Sequence, residues 1–311
     1  MSGGGECEHW IMPTINTVLC PIDFSEGSTH ALEQAAAVAG WYKARLIALH
    51  VYRPLVPVPG LPAGPIPEAE LRRVRDEAAV FVASALTPAT AVETIVDVGH
   101  PVPGILARVT GLPADLVVMG THGASGFERL LLGSVTEKVL RKATCPVLTV
   151  PPRAHVTSRL PLTRVLCAVD FSEWSVAAVA LASSLAEKSG AALQLLHVVE
   201  WPWEEPPAPL FAELPREQAA VLFEFRRYLE VTATSRLESL VPTGTRERCA
   251  IATRISHGKP YAEILRVAAD EHADLIVLGV HGRKAIDMAM FGSTTNHVVR
   301  GATCPVVTLR R

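Results

Sequence analysis

The feature that most constrains this chain is that it is written twice. "TVLCPIDFSE" at 17–26 returns as "RVLCAVDFSE" at 164–173, and "LHV" at 49–51 returns at 196–198, both at an offset of 147. "GTHG" (120–123) returns as "GVHG" (279–282), and "ATCPVLTV" (143–150) as "ATCPVVTL" (302–309), both at an offset of 159. The second copy thus carries twelve more residues than the first, placed between its second strand and Gly258. Two long copies in 311 residues match the ordinary size of two domains, not a solenoid of many short repeats. The expected domains are 13–150 and 164–311. Between them "PPRAHVTSRLPLT" (151–163), rich in Pro and polar residues, reads as a linker.

Each copy alternates short β-branched runs with helical periodicity. "TVLCPI" suits a strand covered on both faces, and "SEGSTHALEQAAAVAGWY" a helix opened by a Ser cap, with Gly40 as its stop. "ARLIALHV", "ETIVDV", "ADLVVMG" and "CPVLTV" supply four more strands, separated by helical segments. Repeated strand–helix–strand units imply right-handed crossovers and a parallel sheet covered on both faces. The fold class is therefore α/β, two Rossmann-like domains, each a five-stranded parallel sheet. Such sheets bind ligands beyond the carboxyl ends of their strands, where strand order reverses. Asp23 ends the first strand there and Gly120 the fourth.

Composition removes several function classes. At 49% hydrophobic, 19% charged and net charge −2, the chain lacks the basic surface of a nucleic-acid binder. No apolar run reaches the roughly 18–20 residues of a membrane span. "MSGGGECEHW" has neither a basic start nor an apolar core, so a cytoplasmic location is expected. Six cysteines without a CxxC pair read as reduced thiols, and the repeat pairs Cys20 with Cys167 and Cys145 with Cys304 at packing positions. Cys7 and His9 belong to a polar tail, and no metal site is assigned.

Familiar nucleotide signatures are absent. "DFSEGS" follows the first strand where GxGxxG would stand, no Walker A string occurs, and "HGKP" (257–260) lacks its first glycine. What remains is Gly120-x-x-Gly123, nine residues, then Gly133-Ser134, repeated as Gly279-x-x-Gly282, nine residues, then Gly292-Ser293. Glycine amides and a helix opening at Ser134 would point free N–H groups and a positive dipole end at one place, a setting for phosphate. Alternatives remain open. Ser134-Val-Thr-Glu137 also reads as a capping box, Asp23 as an N-cap, and the loop as a plain connection. A carboxylate beside phosphates would repel them, which puts Asp23 at the adenine or ribose end.

These residues resemble the universal stress protein family. The likeness rests on the aspartate of "DFSE", on "LHV", on the glycine loop with its G-2x-G-9x-G-S spacing and on the closing "CPV" strand, each present twice. The resemblance implies ATP binding in many members, strand order 3-2-1-4-5, and pairing of two domains through their last strands. By resemblance, Pro21, Ile22, Asp23, Val51 and Met119 line an adenosine pocket. Gly120, His122, Gly123, Arg129, Gly133, Ser134, Val135 and Thr136 lie around the phosphates. In the second copy Ala168, Val169, Asp170, Val198 and Leu278 match the former set, and Gly279, His281, Gly282, Gly292, Ser293, Thr294 and Thr295 the latter.

The copies are not equivalent. The second loop carries Ala285 for Gly126 and adds Asp287, and Ala168 replaces Pro21. Both copies are expected to bind ATP, with or without magnesium, the first more reliably. Trp201 and Trp203, in the Pro-rich loop 200–215, read either as a lid or partner contact or as packing. No catalytic base stands near a nucleophile, so no catalytic residue is assigned. The expectation is an ATP-binding regulatory module whose halves form an intramolecular pseudo-dimer that can pair again. An ATP-hydrolysing or self-phosphorylating enzyme, or a nucleotide-free interaction scaffold, are the alternatives.

Overall fold

The computed structural model describes residues 13–54, 66–121, 132–152, 160–200, 216–280 and 292–310. The first copy runs β1 (Thr17–Ile22), α1 (Glu26–Tyr42), β2 (Arg45–Tyr52), α2 (Glu68–Ala85), β3 (Glu93–Val98), α3 (Pro101–Gly111), β4 (Leu116–Gly120), α4 (Ser134–Lys142) and β5 (Val147–Val150). The second runs β6 (Arg164–Ala168), α5 (Glu173–Ser189), β7 (Ala192–Val199), α6 (Arg216–Ser239), α7 (Thr245–Arg248), β8 (Ile251–His257), α8 (Pro260–Asp270), β9 (Leu275–Gly279), α9 (Ser293–Gly301) and β10 (Val306–Leu309).

All ten strands form one sheet in the order β3-β2-β1-β4-β5-β10-β9-β6-β7-β8. Within each half the pairings are parallel, which the long crossovers require. The halves meet where β5 and β10 run antiparallel, with Leu148 opposite Val307 and Thr149 and Val147 opposite Val306 and Thr308. Thr149 and Thr308 are buried, and each donates its hydroxyl across this seam, to the carbonyls of Val306 (3.1 Å) and Val147 (3.5 Å).

Strands buried on both faces must be apolar throughout, and β1 obeys: Val18, Leu19 and Cys20 are fully buried. One core lies under α1, α2, α5 and α6, with Leu32, Ala35, Val82, Leu181, Leu185 and Leu237; the other lies under α3, α4, α8 and α9, with Ile105, Val139, Ile264 and Val298. Both cores contain residues of both halves, so the hydrophobic layers run across the seam. Each Leu, Ile or Val side chain among these, fully buried, contributes about 1.5–3 kcal/mol. α1 and α5 also touch, through a hydrogen bond of 2.7 Å between Tyr42 Oη and Ser184 Oγ.

Two sequence expectations change. Gly40 does not end α1, which continues to Tyr42 and closes on Lys43 in the left-handed region (φ 54°). The matching residue after α5 is Gly190 (φ 77°), the usual residue for that conformation. Cys145 and Cys304 lie just before β5 and β10, not within them, and are buried like Cys20 and Cys167. The twelve extra residues divide. Val82 and Ala78 of α2 match Leu237 and Ala233 of α6 at an offset of 155, so eight residues precede this match and four, including α7, follow it. Among the described residues, no helix is long and apolar enough to cross a membrane.

Candidate functional site

The order of the sheet reverses at β1, between β2 and β4, and again at β6, between β7 and β9. The crevices beyond these strand ends are the candidate sites. Chain turns sharply on leaving β1. Asp23 Oδ1 accepts from Ser25 N (3.2 Å), Ser25 Oγ (2.5 Å) and Ser28 Oγ (2.5 Å), and Ser25 caps α1 by accepting from Ser28 N (3.2 Å). The second copy repeats this: Asp170 Oδ1 accepts from Ser172 N (3.0 Å) and Ser172 Oγ (2.6 Å), and Ser172 caps α5. Asp23 is thus not itself the N-cap; it orients the serine that is.

Between aspartate and serine sit Phe24 and Phe171, both at φ 64°. A bulky residue there is strained unless its surroundings hold it. The "LHV" histidines do so. His50 stacks on Phe24 (ring centroids 4.3 Å apart) and sets Nδ1 3.0 Å from the Ile22 carbonyl; His197 approaches Phe171 (4.6 Å), with Nδ1 2.7 Å from the Val169 carbonyl. Sequence reasoning missed this pairing. The signal was the shared offset of 147 between the two "DF" and the two "LH" pairs. The third partner differs: Phe81 meets Phe24 edge-on at 5.4 Å, whereas the Arg236 guanidinium lies 4.0 Å over Phe171.

At β4 the chain is stapled to the helix that follows the glycine loop. Gly133 N donates to Thr121 O (2.7 Å) and Thr136 Oγ1 to Gly120 O (2.8 Å). At β9, Gly292 N donates to Val280 O (3.1 Å) and Thr295 Oγ1 to Gly279 O (3.0 Å). A Cβ on Gly133 would lie 3.1 Å from Thr121 O, and one on Gly292 2.6 Å from Val280 O. Both glycines therefore have a packing reason independent of any ligand.

The capping box expected at Ser134 does not form. Gly133 is the N-cap of α4, Gly292 that of α9, and neither helix has a side-chain cap. The staple turns the chain one residue earlier, so Ser134 is already helical. Glu137 instead faces Arg141 (2.8 Å) and Arg300 (3.7 Å). Ser134 and Ser293 are exposed at the crevices, Val135 and Thr294 half-buried, and Thr136 and Thr295 buried by the staples.

The other expected residues divide. Pro21, Val51, Ala168 and Val198 are half-buried near the strand ends. Ile22 and Val169 belong to one core, Met119 and Leu278 to the other. Val51 packs on α3 so closely that a Cβ on Gly104 would lie 3.1 Å from it. Glu263 stands at the matching place in α8, and the Arg266 guanidinium holds its carboxyl below the usual range. Beside β2's end, Tyr52 donates to Glu70, whose carboxylate pushes the phenol up. His122, Gly123, Arg129, His281 and Gly282 lie outside the described residues, as do Gly126, Ala285, Asp287, Trp201, Trp203, Cys7 and His9.

A separate cleft of about 250 Å³ lies at the opposite, amino ends of β6–β8, lined by Gln194, Ala252 and Glu271 among others. The Arg45–Glu93 ion pair of the first copy is replaced there by Ala192 and Ala252. Being far from the strand carboxyl ends, the cleft is not the candidate site.

A doubled α/β sheet with an aspartate turn and an uncapped helix at each reversal point defines a class, and comparison with known proteins gives it a family. The sequence model of the universal stress protein family matches residues 14–151 and 161–310. The chain belongs to the universal stress protein family. It is 28% identical over 306 residues to a universal stress protein of Mycolicibacterium smegmatis, covering 94% of this chain and 96% of that one. A single-copy relative in Thermus aquaticus is 38% identical over 136 residues, 43% of this chain and 97% of its own. The crystal structure of a universal stress protein from Archaeoglobus fulgidus superposes with a TM-score of 0.66 at 26% identity, over 95% of this chain and 98% of that one.

Proposed function

We propose that this tandem universal stress protein is an ATP-binding regulatory module acting in the cytoplasm, with one nucleotide crevice per copy and no strong catalysis. The domains are 13–150 and 164–311, joined by 151–163, and they pair as an intramolecular pseudo-dimer. The mirrored β5–β10 register around Leu148 and Val307 supports that pairing.

One contrast carries the nucleotide reading. At the carboxyl end of the sheet, α1 and α5 are capped by Ser25 and Ser172, whereas α4 and α9, like α2, α3 and α8, begin without a side-chain cap; α4 and α9 are the two that follow the glycine loops and are stapled to the ends of β4 and β9. The first N–H groups of a helix have no intrahelical acceptor, and with the dipole they favour an anion. The triphosphate would lie against Ser134, Val135 and the amides of the glycine loop, with Ser293 and Thr294 in the second copy. Thr136 and Thr295 would hold the helix start in place from behind. The adenosine would lie toward Pro21, Asp23 and Val51, or Ala168, Asp170 and Val198. Magnesium would come with the triphosphate, its ligands mostly phosphate oxygens and water. Among the described residues no cluster of three His, Cys, Asp or Glu offers a protein-made metal site.

The test is direct. Protein purified without added nucleotide is denatured and the released small molecules are identified by mass spectrometry. Calorimetric titration with ATP then follows, with phosphate release measured in parallel. Bound adenine nucleotide with negligible phosphate release is the expected result. Rapid phosphate release would replace the regulatory reading with an enzymatic one. No released ligand and no heat of binding would refute nucleotide binding altogether.

A further inference from the structure

The copies differ on the outer face of one matched helix. Among the described residues eight large hydrophobic side chains are exposed, and five of them lie on α6: Val221 (67%), Phe223 (63%), Phe225 (51%), Tyr228 (65%) and Val231 (61%). The other three, Val80, Val98 and Leu160, lie on different elements, and such scattered exposure is ordinary. At the offset of 155 that aligns α2 with α6, Phe225, Tyr228 and Val231 fall on Glu70, Arg73 and Asp76. In the first copy this face is charged: Tyr52 donates to Glu70, and Arg73 reaches Glu77 at 3.2 Å. In the second copy the same three places are aromatic and apolar.

Helical geometry gathers four of the five into one stripe. At about 100° per residue, Val221, Phe225, Tyr228 and Val231 fall within roughly 120° of arc, and Phe223 falls outside it. The opposite face is committed to the protein itself. Ala233 and Leu237 are buried, and Arg226 reaches Glu230 at 3.3 Å and His257 at 3.2 Å. The stripe therefore points away from the sheet. Clustered exposed aromatics mark a contact surface. The charges beside the stripe indicate what it contacts. Glu224 and Arg227 are exposed on one flank, three residues apart, with no ion-pair partner among the described residues. Two copies of α6 laid antiparallel, with a two-fold axis between Phe225 and Tyr228, bring Phe225 of each against Tyr228 of the other. The flank then faces itself with its direction reversed, so Glu224 of each copy comes within one turn of Arg227 of the other. The stripe is complementary to itself in charge as well as in apolar character.

We propose that the outer face of α6 is the surface through which two copies of this chain pair, as an antiparallel helix contact centred on Phe225 and Tyr228 and rimmed by Glu224 and Arg227. Taking roughly 100 Å² for each of the four exposed side chains, the stripe offers about 400 Å² per copy, half of the roughly 800 Å² per partner of a standard interface. The pairing is therefore reversible and depends on concentration. It uses a face of the second copy alone, and it stands independently of the nucleotide reading.

The experiment is analytical ultracentrifugation of the full chain from about 1 to 200 μM, the range in which a micromolar equilibrium is visible. The parent is expected to pass from monomer to dimer across this range. Phe225→Glu combined with Tyr228→Arg installs the residues that the first copy carries, and should weaken pairing by about a hundredfold or more, since each aromatic anchor is used twice in the two-fold contact. Glu224→Arg alone sets like charges against each other and should weaken pairing by roughly three- to tenfold. Adding Arg227→Glu to it exchanges the two charges and should bring the affinity back to near that of the parent. All four side chains are exposed, so the variants keep the fold, which circular dichroism melts verify. A parent that stays monomeric to about 200 μM would overturn the proposal and leave the face to a different partner. A dimer that survives Phe225→Glu with Tyr228→Arg, or a double charge exchange that pairs no better than Glu224→Arg alone, would overturn it as well.

Discussion

Adding one methyl group at each of two matched positions tests whether close backbone approach explains the glycines at the helix starts. Gly133 and Gly292 have nearly the same conformation, φ −56° and −53° with ψ 138° and 139°. Alanine adopts it without strain, so glycine is not needed there for conformational freedom. With no clash, Gly→Ala would stabilise by about 0.4–1 kcal/mol through the unfolded chain. At Gly133 the new Cβ would meet Thr121 O at 3.1 Å, which a shift of a few tenths of an ångström relieves, so Gly133→Ala should be near neutral. At Gly292 the contact is 2.6 Å, and the carbonyl that must retreat already accepts from Gly292 N (3.1 Å) and from Thr295 Oγ1 (3.4 Å). Overpacking of this kind costs about 1–3 kcal/mol, and a weakened hydrogen bond about 1 more. The net expectation for Gly292→Ala is about 2 kcal/mol of destabilisation, or about 3 °C in thermal midpoint for a chain this long. Circular dichroism melts of the two variants side by side provide the measurement. Equal midpoints, or a larger loss at Gly133, would refute the close-approach argument.

Other perturbations follow from the same structure. Lys43→Gly should stabilise by about 0.5–1 kcal/mol, because Lys43 holds the left-handed position that Gly190 fills in the second copy; urea unfolding measures it, and the reverse change Gly190→Lys should destabilise. Asp274 is 2% exposed and accepts from Thr163 N, Thr163 Oγ1 and Arg164 N, whereas Asp115 takes only two backbone donors and is less buried. Asp274→Ala should therefore cost about 2–4 kcal/mol, and more than Asp115→Ala, in the same urea assay. Burial pushes the thiols of Cys145 and Cys304 up to about 11 and about 12, and raises those of Cys20 and Cys167 as well. The thiolate is the reactive form, and a raised value delays it to higher pH. A chromogenic disulfide reagent at pH 8 should leave these four unmodified until the chain unfolds, with half-buried Cys249 reacting ahead of them.

Much of the architecture was legible because both copies state it. Short β-branched runs alternating with helical periodicity named the strands and helices. Details set by tertiary contact were not legible. Nothing in "DFSE" announces that its phenylalanine takes φ 64°, since the histidine that holds it is 26 residues away. Ser134 and Glu137 have capping-box spacing, but the Gly133–Thr121 bond turns the chain first. Gly40 looked like a stop because the residue that fills the stop is a lysine. At the site, the strand-end aspartates and the helix starts could be read directly. The staples by Thr136 and Thr295 needed the folded chain.

The antiparallel contact of β5 with β10 has a consequence for how the protein behaves with abundance. Each half has one strand edge at this contact, and each edge is satisfied by the other. A free half would show a row of unpaired backbone groups flanked by Val147, Leu148 and Val150, a surface that seeks any complementary edge. Covalent duplication turns that search into an intramolecular event at an effective concentration on the millimolar scale. The valency of the edge is then spent within the chain, so the ten-stranded sheet forms equally well when the protein is scarce and when it is plentiful.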